Sequence, residues 1–217
     1  VAEWGTVGKL KAQWVSADSL YSRSEVPVPS ANKCSVDGWK GERVSAQFLL
    51  WSGTGLHGIQ CKVKDFVGES GKISAGAAQA RFVRYTLADE GGENCRCERG
   101  PLHPMILAPD MLDSLKVFNM DAKTVRPVWI TVDIPQNAKP GVYKSSVEVT
   151  AKGAKVTLPF ELEVIDQTLP TADQWGYHLD LWQHPTSVAR AHGLKVWSDE
   201  HFEALKPVMT RLAEAGQ

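Results

Sequence analysis

The sequence predicts a mainly β protein: an immunoglobulin-like, antiparallel β-sandwich followed by the first strand–helix unit of a truncated (β/α)8 barrel. Three observations carry this expectation. From about Arg43 to Ile165, apolar and polar residues alternate with period two between Gly- and Pro-containing turns. After Asp166-Gln167-Thr168-Leu169-Pro170 the pattern changes to one strand, Trp175 to Trp182, and one amphipathic helix, Ser198 to Ala215. A lone strand and helix cannot bury both of their apolar faces. The expected division is a sandwich over 1–165, a linker over 166–173 and the opening of a barrel over 174–217.

Taken in order, residues 1–40 are weakly patterned. Leu10 to Val15 fits a short strand, and Val26-Pro27-Val28-Pro29 is held extended by its prolines. Three alternating runs follow: Val44, Ala46, Phe48 and Leu50; Ile59, Cys61 and Val63; Val83, Tyr85 and Leu87. Gly53-Thr54-Gly55 and Gly68 to Gly71 read as the turns between them. Residues 98–125 read as a long connection, because Pro101, Pro104 and Pro109 oppose regular structure, with one helical turn starting at Asp110-Met111-Leu112. Val128, Ile130, Val132 and Ile134 then form one strand face. Tyr143 to Val149 and Val156 to Val164 follow, so three consecutive antiparallel strands are expected in one sheet. Pro159 marks an edge or a bulge. In the final helix Ser198 is the N-cap, Asp199 and Glu200 suit the first turn, and Gly216 is the stop. Pro207 predicts a bend or break near Glu203 to Lys206.

Composition narrows the function classes. The 217 residues carry 24 Lys and Arg against 25 Asp and Glu, a net charge of −1, with no basic stripe. Nucleic acid and anionic membrane are therefore poor partners. No apolar run approaches the roughly 20 residues that span a bilayer. The first residues lack a charged segment followed by an apolar one, so a signal peptide is either absent or removed upstream of Val1. Eight Trp residues fit sugar stacking and a large β core equally well. The four cysteines are Cys34, Cys61, Cys95 and Cys97, which allow three full pairings. Cys95-Arg96-Cys97 lies in a polar, Gly-rich stretch. A disulfide in a secreted protein and incidental thiols in a cytosolic one both fit it.

The candidate chemistry lies in Gly176-Tyr177-His178-Leu179-Asp180-Leu181-Trp182-Gln183-His184-Pro185. In a strand His178, Asp180, Trp182 and His184 share one face. If a helix packs on the leucine side, that face looks into the barrel, and Trp182 and His184 fall at the strand's C-terminal end, where such barrels build their sites. Three readings stay open. Asp180 and His178 satisfy each other in a polar core; or Asp180, Trp182 and His184 bind substrate, with Trp182 stacking on a pyranose; or His178, Asp180 and His184 hold a metal, which the spread along a strand disfavours. Glu42, Asp65, Glu161 and Glu163 read as solvated strand faces. No cofactor motif is present, since Gly53-Thr54-Gly55 and Gly91-Gly92 read as turns.

Several segments, in order, resemble glycoside hydrolase family 123, the β-N-acetylgalactosaminidase-like group. They are Gly38-Trp39-Lys40-Gly41-Glu42-Arg43-Val44-Ser45-Ala46-Gln47, then Val128-Trp129-Ile130-Thr131-Val132 with Pro135 and Ala138-Lys139-Pro140-Gly141-Val142-Tyr143, then Leu158-Pro159-Phe160-Glu161-Leu162-Glu163-Val164 leading to Leu169-Pro170. The resemblance implies a sandwich followed by a (β/α)8 barrel. It also implies hydrolysis of terminal N-acetylgalactosaminides with the substrate's acetamido group as nucleophile. Substrate assistance of this kind is a recognised exception to the two-carboxylate scheme. The family's catalytic pair is an adjacent Asp-Glu on a later barrel strand. Asp89-Glu90 belongs to the sandwich and Asp199-Glu200 opens the last helix, so no catalytic residue transfers.

The sequence thus leads to a non-catalytic sandwich and the front of a barrel from a secreted, periplasmic or cell-surface glycosidase. Its substrate-binding candidates are Asp180, Trp182 and His184, with no metal and no cofactor. Its expected partners are the parent enzyme's glycan and, within the parent, the rest of the barrel. The rival is a self-contained carbohydrate-binding or adhesion sandwich.

Overall fold

A computed structural model of the chain describes residues 4–28, 33–88, 106–177 and 179–216. The chain divides into two compact units, Val1–Thr168 and Leu169–Gln217.

The first unit is built from two sheets. One runs β1 (Lys11–Val15), β3 (Arg43–Ser52), β10 (Thr124–Asp133), β7 (Ala78–Ala88) and β8 (Ile106–Leu112) in that spatial order. The other runs β2 (Cys34–Lys40), β12 (Ala154–Thr168), β11 (Gly141–Ala151), β4 (Leu56–Val63) and β9 (Phe118–Met120), with β5 (Phe66–Gly68) and β6 (Gly71–Ile73) attached at β11. The alternation read from sequence fixes the inner faces. Phe48, Val128, Ile130 and Val132 of the first sheet, and Ile59, Val147, Val149, Leu158, Phe160 and Leu162 of the second, share one buried core. Trp14 ties the sheets together. Its ring lies 5.4 Å from Phe48 and 5.0 Å from Phe160, and its indole N–H donates to the Pro159 carbonyl at 2.7 Å.

Three expectations for this unit are corrected. The strand over 128–134 does not share a sheet with its two successors, because β10 lies between β3 and β7 while β11 and β12 pair in the other sheet. Alternation looks the same for a hairpin and for a crossover. The connection between β10 and β11, which holds Pro135 and Pro140, is the one that changes sheet, while β11 and β12 are joined by the tight turn at Lys152-Gly153. The sandwich is also not wholly antiparallel. β2 pairs parallel to β12, since the turn after β2 sends the chain to the opposite sheet and leaves β2 to be paired by a distant strand.

In the third correction, Ile106–Leu112 is a strand rather than part of a loop or a helical turn at Asp110-Met111-Leu112. β8 is the sheet's outermost strand, and Pro109 sits where the register with β7 shifts between Arg84 and Tyr85. An edge strand with a bulge tolerates proline because the missing N–H costs no ladder bond there. On β7, Ala78, Ala80 and Phe82 pack in the core, and the alternating run Val83, Tyr85 and Leu87 is not part of that cluster. Pro159 obeys the same rule as Pro109: β2 joins β12 only from Phe160 onward, so β12 is an edge at Pro159.

Beyond β8 the chain is pinned by Asp113, whose side chain is only 7% exposed. Arg84 donates to Asp113 Oδ2 through Nε at 3.0 Å and Nη2 at 2.7 Å, and the Leu115 N–H reaches Oδ1 at 3.1 Å. These bonds, the Arg84 ones foremost, hold the Asp113 carboxyl below its ordinary range. A depressed folded-state pKa contributes stability above the unfolded value, and that contribution is lost as pH falls through the folded value. The gap in unfolding midpoint between wild type and Asp113→Asn is therefore expected to be full at neutral pH and to close below about pH 4. Urea unfolding across that range measures it, and a gap that does not change with pH would refute the assignment. Nearby, the Arg126 guanidinium lies 4.4 Å over the Phe118 ring and 5.1 Å over Tyr85, donates to the Val83 carbonyl at 2.7 Å, and is lowered in pKa by burial.

Cys34 and Cys61 are free thiols, pushed up to about 11 and about 12 by burial. Cys95 and Cys97 lie outside the described residues.

Among its described residues the second unit has two α-helices, α1 (Pro185–His192) and α2 (Asp199–Glu214). α2 matches the sequence reading. Ser198 caps it by accepting from the His201 N–H, and Gly216 follows with φ +98°. The break expected at Pro207 does not occur, and the helix runs through. Proline removes only the bond to Glu203's carbonyl, and this turn gains side-chain bonds from Thr210 Oγ1 to the Lys206 carbonyl at 3.0 Å and from Lys206 Nζ to the Glu203 carboxylate at 2.6 Å. α1 was not anticipated. Its ends are nonetheless written in the sequence, with Pro185 in the first turn and Gly193 left-handed after the last. Gly193 N–H donates to the Arg190 carbonyl at 3.3 Å and Leu194 N–H to Ala189 at 2.8 Å, the paired bonds of a glycine-terminated helix. The strand expected over Trp175 to Trp182 is absent from the described residues of this segment. A barrel strand takes hydrogen bonds from a neighbour on each side, and the second unit has no strand among its described residues to supply them.

Candidate functional site

Asp180 and His184 are exposed in the irregular stretch leading to α1, and Trp182 between them is 95% exposed. His184 stands at the N-terminal boundary of α1, where its Nδ1 lies 2.7 Å from Ser187 Oγ and 3.1 Å from Thr186 Oγ1. Those two hydroxyls fix the imidazole ring in the first turn of the helix. Ser187 and Thr186 were not singled out in the sequence, although a His-Pro-Thr-Ser run places both hydroxyls within one turn of the ring. No hydrogen bond joins Asp180, Trp182 and His184 among the described residues, so the structure orients His184 and leaves the other two side chains to solvent. His178 lies outside the described residues, and with it the mutual satisfaction of His178 and Asp180. Among the described residues no group of three His, Cys, Asp or Glu side chains is placed to hold a metal ion.

The support beneath these residues comes from a side chain that sequence reasoning missed. His201 is fully buried on α2. The Trp197 backbone N–H donates to its Nδ1 at 3.0 Å, which makes Nδ1 an acceptor and leaves Nε2–H to donate to the Pro185 carbonyl at 3.0 Å. The ring therefore links the start of α1, next to His184, to the loop before α2. Trp197 there has φ +66°, a left-handed conformation rare for a large side chain, and its ring lies 5.3 Å from that of His201. The Ser198 hydroxyl that caps α2 also holds Glu200 below its ordinary range. Ser198-x-x-His201 was visible as a cap and the third residue after it, but nothing in the spacing shows that the histidine turns inward.

Of the remaining Trp residues, Trp14 and Trp51 are buried, while Trp39 and Trp197 are 41% and 57% exposed. Trp175 stacks on Tyr177 at 5.2 Å and bonds the Pro170 carbonyl at 3.0 Å. The acidic side chains read as solvated faces have local duties. Glu42 accepts from the Trp39 N–H at 2.7 Å, Asp65 accepts from the Ala75 N–H at 2.8 Å, and Glu161 pairs with Lys33 at 3.4 Å.

Comparison with known proteins places this architecture. The family model described as "Glycoside hydrolase 123 N-terminal domain" matches residues 14–151, and "Glycoside hydrolase 123, catalytic domain" matches residues 182–217. Among solved structures, a family 123 glycoside hydrolase from Clostridium perfringens, analysed for glycolipid glycan hydrolysis, is similar with a TM-score of 0.85 and 25% identity. That match covers 96% of this chain and 36% of the other. A protein of unknown function from Porphyromonas gingivalis W83 is similar at 12% identity over 76% of this chain and 53% of its own, with a TM-score of 0.36, too low to carry an argument. No curated protein matches the sequence. The chain spans about a third of the length of the Clostridium perfringens enzyme, 36%. By the match of the N-terminal-domain model over residues 14–151, the chain belongs to glycoside hydrolase family 123.

Proposed function

We propose that this chain is the front part of a glycosidase whose chemistry is performed by residues it does not contain. The first unit is a non-catalytic accessory sandwich, and 174–217 is the opening strand–helix unit of a (β/α)8 catalytic barrel. The observation that carries this reading is the catalytic-domain match at 182–217, in a chain covering 36% of the related enzyme. Trp175 to Trp182 becomes a barrel strand when the remaining strands supply its hydrogen bonds. Asp180, Trp182 and His184 then serve as substrate-binding groups, with Trp182 stacking on a sugar ring and His184, held by Ser187, bonding a hydroxyl or acyl oxygen.

The parent's substrate is a terminal N-acetylgalactosaminide, hydrolysed with help from its own acetamido group. The parent acts outside the cytoplasm, where such glycans are met. No metal or cofactor is called for by this chemistry.

The test compares the 217-residue chain with the full-length protein on 4-nitrophenyl N-acetyl-β-galactosaminide. The chain alone is expected to release no nitrophenol and the full-length protein to turn over. Turnover by the chain alone overturns the accessory assignment, and an inactive full-length protein that cleaves another glycoside overturns the substrate. In the full-length protein, Trp182→Ala is expected to raise KM by about tenfold, the loss of roughly 1.4 kcal/mol of stacking. An unchanged KM would remove Trp182 from the site.

A further inference from the structure

The outward face of the first sheet is divided in two. At one end Leu49, Trp51 and Val125 are covered by Trp4, Val7, Val15 and Tyr21. At the other, the strand register aligns Gln47, Trp129 and Arg81 in one row across β3, β10 and β7, and Ser45, Thr131 and Gln79 in the next. Trp129 alternates with Val128 and Ile130, which are fully buried in the core, so it stands on the outer side and is half-buried there. Trp4, Trp14 and Trp175 each donate their indole N–H to a backbone carbonyl. The Trp129 N–H has no such partner among the described residues. Arg81 donates to Gln79 Oε1 at 2.5 Å and forms no ion pair among the described residues, unlike Arg43, which grips Asp133 through two bonds of 2.6 and 3.2 Å.

We propose that this end of the sheet is a glycan-binding face, with a sugar ring stacked on Trp129 and its hydroxyls bonded by Arg81, Gln79, Thr131 and Ser45. The chemistry of the patch selects this occupant over others. A protein partner seated on a half-buried Trp calls for an apolar ring of neighbours around it. Here the neighbours of Trp129 that reach solvent, Arg81, Gln79, Thr131 and Ser45, are polar, while Leu49, Pro127 and Val83 on its other side are buried. A nucleic acid needs several free cations along its backbone, and this face offers Arg81 while Arg43 is already neutralised by Asp133. A pyranoside presents a C–H face that suits the indole and a rim of hydroxyls that suits the Arg81–Gln79 fork. Three strands set the width of the patch at roughly 10 Å, enough for one or two rings. The segment Ser16–Ser19 closes one side, because Gln47 Nε2 is spent on the carbonyls of Ser16 and Ser19 at 2.9 and 3.3 Å. Recognition here does not require that the parent act on N-acetylgalactosamine.

The test is a titration of the 217-residue chain, followed through its indole N–H resonances, with the methyl glycosides of N-acetylgalactosamine, galactose and glucuronic acid. The resonance that Trp129→Phe removes is expected to shift saturably with at least one of them. Arg81→Ala is expected to weaken that binding at least about tenfold, and Trp182→Ala to leave it unchanged. Trp129→Phe keeps an aromatic plate and should retain binding, which separates stacking from a folding defect, and thermal unfolding of Arg81→Ala checks that the sandwich is intact. No shift of the Trp129 resonance up to the solubility limit of all three sugars overturns the proposal. A shift that disappears in Trp182→Ala overturns it as well, and assigns the binding to the second unit.

Discussion

Replacing Trp14 by alanine is expected to destabilise the sandwich by about 3–5 kcal/mol. Trp14 is 3% exposed, stacks against Phe48 and Phe160, and donates to the Pro159 carbonyl. Removing it opens a cavity between the two sheets and strips a bond from a position where β12 has no neighbour on the β2 side. Trp14→Phe keeps most of the volume and loses the bond, so it is expected to cost about 1–2 kcal/mol. Both should appear as lower urea midpoints with an unchanged slope. If the two substitutions cost the same, the cavity is not what matters and the packing account fails.

The second large effect is expected at His201. A leucine there leaves the Trp197 N–H and the Pro185 carbonyl without partners at a fully buried position, at about 1–3 kcal/mol for each. The Trp197 backbone, already at φ +66°, loses the bond that holds it. Amide hydrogen exchange should accelerate throughout α1 and α2 while the strands of the first unit keep their protection. His201→Asn can place Oδ1 where Nδ1 was and should recover part of the loss. Unchanged exchange in the helices of His201→Leu would show that the buried ring does not tie them together. Because Pro185 follows His184 directly, this loss would also free the ring that Ser187 now orients.

Period-two alternation was sufficient to find the inner faces of β3, β10, β11 and β12, because one side of each is buried and a slip of one residue would turn Val128, Ile130 and Val132 outward. It could not say which strands are neighbours. β10 and β11 carry the same signal whether they form a hairpin or belong to different sheets, and the pairing of β2 with β12 depends on residues far apart in the chain. β8 was hidden because Pro109 is a breaker in most settings and harmless on an edge. In the second unit the capping residues Ser198 and Gly216 were legible, being local. Pro185 and Gly193 were equally local and bracket an eight-residue helix, too short for a periodic signal. The candidates Trp182 and His184 rest on residue type and order alone, whereas the hydrogen bonds of His201 beside them are tertiary and leave no pattern in the sequence. The row of Gln47, Trp129 and Arg81 appears only once the register of three strands is known.

The parallel pairing of β2 with β12 has a consequence for synthesis. β2 leaves the ribosome early, yet its ladder partner starts at Phe160, near the far end of the first unit. Until that stretch emerges, the nascent sheet presents β11 and β2 with open edges, and contacts this distant in sequence form slowly. The strand that closes the sheet ends at Thr168, and Leu169 already belongs to the second unit. Closure of the sandwich therefore cannot come before the next unit's first residues are being delivered, and its open edges persist until then.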